Sequence, residues 1–143
     1  MADCSESIAN QILSIADENH NQSIGIINEI CKTGIEAVEI SKGAMDSLFM
    51  LDVDLANRII TKCERFEKLE KDLTEQVVSL IQNRKIAVAL RGVVWNLTEI
   101  SRAAKMICEV AINRYLESNT EVCRFWKERK SGGEIQYLKK LGA

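Results

Sequence analysis

Proline is absent from the 143 residues, histidine occurs once, aromatic residues make up 5% of the chain and glycine is found seven times. A sheet-rich domain of this length needs a turn every ten residues or so, drawing on Gly, Pro, Asn and Asp clusters that are scarce here. An all-β fold is therefore excluded. With His20 alone, a His-based metal site or catalytic triad has no second imidazole to build on. No apolar run approaches the roughly 20 residues that a membrane span requires. The start, MADCSESIAN, has neither the basic stretch nor the apolar stretch of a secretion signal. A soluble, cytoplasmic protein is expected. The net charge of −2 gives no electrostatic footprint for nucleic acid. No G-x-x-x-x-G-K-[ST], no G-x-G-x-x-G after a strand and no G-x-S-x-G occurs, so nothing in the sequence supports an enzyme.

What is present is helix-forming. Ile, Leu, Ala, Glu and Lys dominate, and apolar residues recur at three- and four-residue steps. Ile8, Ile12 and Ile15 predict a short first helix that ends at the polar stretch 17–22. From Ser23 the rhythm is Ile24, Ile27, Cys31, Ile35, Val38, Met45 and Leu48. Ile26, Ile30, Ala37, Ile40 and Ala44 widen this stripe, which implies two neighbours. Gly25, Gly34 and Gly43 read as positions that let another helix approach. Asp52 is placed to cap the next helix, with Asp54 adding negative charge near its positive end. That helix carries Leu55, Ile59, Cys63, Phe66, Leu69, Leu73, Val77 and Leu80, and its outer face offers Glu64–Lys68 and Glu67–Lys71 pairs. After the break at 82–84, Ile86, Leu90, Val93, Leu97, Ile100, Ala104, Ile107 and Ala111 form the clearest seam in the chain. A second row on the same helix, Val88, Gly92, Trp95, Met106 and Val110, is interrupted by Glu99 and Arg102. Short connections force successive helices antiparallel.

The expected fold is all-α: an antiparallel three-helix bundle of long helices with short additional N- and C-terminal helices. The expected organisation is a short N-terminal helix and linker at 1–22, the bundle at 23–117, and a short C-terminal helix with a flexible basic tail at 118–143. The tail from Thr120 carries six basic and three acidic residues, a charge of +3 against −5 for the rest. Such a tail suits acidic headgroups or a partner, although a solvated terminus is the usual reason for one. The five cysteines are dispersed with no C-x-x-C, which fits reduced thiols. Cys31, Cys63 and Cys108 read as core residues, and Cys123, near Arg124 and Lys127, as the reactive exception. The row Ser101, Arg102 and Lys105 reads as a solvated face. Asn96-Leu97-Thr98 matches a glycosylation sequon only by chance inside a helix.

AMDSLFMLDVDLANRII at the first reversal, CERFEKLEKDL in the second helix and LTEISRAAKMICEVAIN in the third, in that order and spacing, resemble one repeat of the PhoU family. The resemblance spans roughly Ser23 to Leu116. It implies a cytoplasmic adaptor in the control of phosphate uptake, bound by protein contacts to phosphate-transporter or sensor-kinase components. Members usually hold two bundles in tandem. One repeat alone implies a second copy, a homodimer, with Trp95, Met106 and Val110 as the expected interface. The family's acidic pairs grip iron, zinc or another cation, and this chain departs from them: the matching positions hold Cys63 and Glu67, then Thr98 and Arg102. Glu67, Glu70 and Glu99 remain as a reduced set that could hold a divalent or ferric metal, and no other cofactor is implied. Two alternatives stay open: a metal-binding bundle that senses or stores a cation, and a generic oligomeric helical protein whose pattern is bundle periodicity alone.

Overall fold

Asp52 accepts a hydrogen bond from the Leu55 amide at 2.8 Å, so the acid expected to cap the second long helix does so. The computed structural model describes residues 1–18 and 23–119, and these form four helices and no strand. They are α1 (Ala2–Ser14), α2 (Ile24–Met50), α3 (Val53–Leu80) and α4 (Arg84–Asn119). Leu51 ends α2 in the left-handed conformation at φ 53°, its amide bonded back to the Ser47 carbonyl, and Asp52 follows directly as the cap of α3. The reversal is thus two residues long. At the next reversal Asn83 Oδ1 accepts from the amides of Lys85 and Ile86, capping α4 with a residue the sequence marked only as a polar break.

The long helices α2, α3 and α4 pack against one another in all three pairings, and α1 packs against α4. Two cross-contacts fix directions. Gly34 faces Leu97 and Ser47 lies beside Cys108, so α2 and α4 run the same way, with α3 antiparallel to both. Ser7 meets Asn96 and Gln11 meets Gly92, so α1 runs against α4. The core is built by Ile30, Ala37, Ile40 and Ala44 of α2, Ile59, Cys63, Phe66, Leu73 and Val77 of α3, and Ile86, Leu90, Val93, Val94, Leu97, Ala104 and Cys108 of α4. The expected seam of α4 is this core-facing row, with Ile100 and Ile107 at its margin.

On α2 the faces fall differently. The row that widened the stripe, Ile26, Ile30, Ala37, Ile40 and Ala44, is buried, whereas Ile24, Cys31, Ile35, Val38 and Met45 are exposed. Cys31 is accordingly not a core residue. Helical periodicity finds an apolar face but does not say which half of a wide one meets the neighbours. Among the glycines of α2, Gly43 is a true packing position, where a Cβ would stand 2.5 Å from Ile59 Cδ1; Gly34 has ordinary contact distance, and Gly25 faces open space. The Glu64–Lys68 and Glu67–Lys71 pairs are not among the ion pairs of the described residues, which include Lys85–Glu18 and Arg102–Glu99. No helix among the described residues is long and apolar enough to cross a membrane. The expected C-terminal helix and basic tail beyond Asn119, with Cys123, and the lone His20 lie outside the described residues.

Candidate functional site

Three places on this scaffold hold side chains that the core does not consume. The first is the outer face of α4. Trp95 is 53% exposed, and the Arg102 guanidinium, two turns on, lies over its ring at 5.3 Å from the centroid. Glu99, between them, bonds the same guanidinium and holds it in place. A cation over an indole face adds electrostatic attraction to a large apolar surface. Met106 and Val110 continue the exposure along the helix. Of the row marked in the sequence, Gly92 alone is covered, because Gln11 of α1 sits against it.

Next to this face, α3 and α4 enclose a shallow cleft lined by Glu64, Glu67, Lys68, Glu70, Lys71 and Arg102. The structure therefore brings Glu67 and Glu70 to one cleft and places Arg102, with Glu99 bound to it, at the edge. Among the described residues no group of three or more His, Cys, Asp or Glu side chains is arranged to hold a metal ion. Two of the positions that match the family's acidic pairs, Cys63 and Thr98, point into the core at 1% and 0% exposure. A carboxylate there would have to be buried among apolar side chains, at a cost that a thiol and a hydroxyl do not incur.

A small polar cluster inside the bundle went unmarked in the sequence. Thr98 Oγ1 donates to the Val94 carbonyl at 3.1 Å, the Cys63 thiol donates to the Ser101 carbonyl at 3.4 Å, and Ser47 Oγ lies 3.8 Å from Cys108 Sγ. Ser101 is buried, not part of a solvated face, and its Oγ has no hydrogen-bond partner. Burial pushes the Cys63 and Cys108 thiols above the ordinary thiol range, so both stay protonated. Neither is set up as a nucleophile. Asn96 of the sequon bonds Ser7 Oγ at 3.0 Å and the Gly92 carbonyl at 2.8 Å in mid-helix, which leaves it unsuited to glycan transfer.

The third place is the outer face of α2, where Cys31, Ile35, Val38, Met45 and Phe49 are all exposed. Its signal, Phe49 apart, was in the sequence as the leading row of a stripe expected to meet two neighbours. Taken together, the site chemistry is that of recognition surfaces: an aromatic–cation patch, a cleft of mixed charge and an apolar helix face.

Compared with known proteins, the chain matches the family model described as the PhoU domain over residues 30–111, more than half of its length. The match runs from within α2, through α3, into α4. No curated protein and no solved structure matches it.

Proposed function

The chain belongs to the PhoU family, and from that footing we propose that it is a cytoplasmic regulator in the control of phosphate uptake that acts through protein contacts. The observation that carries the reading is the Trp95–Arg102 patch on α4, inside the matched span and exposed together with Met106. Trp and Arg are the residues that most often dominate protein–protein binding energy, and this pair is pre-organised by Glu99. In this reading residues 23–117 are the family's three-helix unit and 1–22 an added helix and linker, with 118–143 a further segment. The partner is a phosphate-transporter or sensor-kinase component.

The mixed-charge cleft beside the patch suits a partner surface that carries both signs, since complementary charges steer encounter and fix register. Trp95, Met106 and Val110 were expected to meet a second copy. In this reading a regulatory protein takes that patch, its surface complementing the mixed-charge cleft alongside. Pull-down with transporter and sensor-kinase components, in high and in low phosphate, is the test. Retention by wild type and loss in Trp95→Glu supports the reading, and no retention in either condition overturns it.

A further inference from the structure

One face of α2 carries a continuous row of apolar side chains that the four helices leave uncovered. Cys31, Ile35, Val38, Met45 and Phe49 follow one another at steps of four, three, seven and four residues, with Lys42 filling the seven-residue step. Val38 is 69% and Phe49 77% exposed. This is the a/d pattern of a two-helix seam, about 27 Å long at the helical rise of 1.5 Å per residue. Everything α2 needs for its own core lies on the other side, in Ile30, Ala37, Ile40 and Ala44. Burial among the described residues therefore does not account for the stripe.

The geometry points to a second copy of this chain as the occupant, docked through α2 against α2 in antiparallel register about a two-fold axis midway between Val38 and Lys42 along the exposed face. Charge decides both occupant and direction. In a parallel pairing each seam residue faces its own copy, which sets Lys42 against Lys42 within the apolar stripe. In the antiparallel pairing position 31 lies opposite 49, 35 opposite 45 and 38 opposite 42. Lys42, the one charge within the stripe, then lies beside Glu39 of the partner subunit, and Lys32 beside Asp46 of the partner subunit. Lys32, Glu39 and Lys42 are exposed and Asp46 is half-buried at the flank, so all four can reach across. Symmetry repeats each pairing, and the two Glu39 carboxylates that come together beside the axis are each flanked by Lys42 of the other copy, around a seam of apolar side chains. The inference stands on α2 alone and does not depend on the regulatory reading of α4.

The experiment is light scattering of the full chain over a dilution series, with circular dichroism of each variant. Wild type is expected at dimer mass, and Val38→Glu, an exposed position, at monomer mass with its helicity kept. Lys42→Glu and Glu39→Lys should each weaken association by about tenfold, and the double reversal should restore it. Register is read by mild oxidation in a background of Cys4→Ser and Cys123→Ser. Phe49→Cys should then give a covalent dimer through Cys31 of the partner subunit, while the background protein should not cross-link. Cross-linking of the background through Cys31 alone would mean a parallel pairing and overturn the register. A monomeric wild type, a dimer unaffected by Val38→Glu, or a double reversal that fails to restore association overturns the interface. A monomer whose residues 31–49 are protected from hydrogen exchange would show that another segment of the chain covers the stripe.

Discussion

Gln11 of α1 fills the space that a side chain on Gly92 of α4 would need. The two helices can approach so closely there only because position 92 has no Cβ, and the neighbouring bond from Asn96 to Ser7 at 3.0 Å depends on the same approach. Gly92→Ala should strengthen the isolated α4 by about 1 kcal/mol through helix propensity and still loosen α1. Hydrogen exchange of the amides in 5–14 should speed up by about tenfold while those of α3 stay unchanged. Unchanged protection of α1 would mean that Gln11 simply turns aside.

Two exposed surfaces with two assigned occupants should separate by mutation. Trp95→Glu should abolish capture of a regulatory partner, a loss of about 2 kcal/mol or more for a central aromatic, and leave the dimer mass unchanged. Val38→Glu should do the reverse to the dimer. If Trp95→Glu instead gave a monomer in light scattering, the α4 patch would be the self-association face.

Burial raises the Cys63 and Cys108 thiols, so the folded state holds their protons more tightly than the unfolded state does. The stabilisation is fully present below the unfolded thiol value and is lost as pH rises toward the folded one. The urea midpoint should therefore fall as pH rises beyond about 8.5, where an unfolded thiol begins to ionise. The fall should be shallower in Cys63→Ala, even though that variant starts from a lower midpoint. Parallel slopes for the two proteins would show that the buried thiols do not contribute.

Elemental analysis after loading with ferric or divalent ions should find no stoichiometric metal, because Arg102 sits at the edge of the cleft that holds Glu67 and Glu70 and bonds Glu99 itself. Stoichiometric metal that disappears in Glu67→Gln and Glu70→Gln would restore the cation-binding reading of the three glutamates.

Much of the architecture was legible in the order of residues. The cap at Asp52, the α4 seam and the reversal near 51–52 depend on local chemistry, the spacing of apolar side chains and one carboxylate near free amides. The PhoU resemblance depended on the same kind of order, and the matched span of 30–111 lies within the one expected. The exposure of Trp95, Met106 and Val110 was legible too, since charged neighbours at Glu99 and Arg102 interrupt that row. The facing of α2 was not. Its apolar residues cover well over half of the helix, and a row at a given spacing looks the same whether a neighbouring helix or solvent lies beyond it.

By itself the sequence determined that the chain is helical, where its long helices reverse, and which family it belongs to, because propensity, periodicity and capping act within a few residues of each other. Only the tertiary structure decided that Cys31, Ile35 and Val38 face outward while Thr98 and Ser101 are buried, that Gln11 rests on Gly92, and that Arg102 covers Trp95 while Glu99 holds it. Most of these depend on which helix packs against which. That choice is made by the whole core at once: α4 lies against all three other helices, and a face of α2 is interior or exposed according to where α4 and α3 stand.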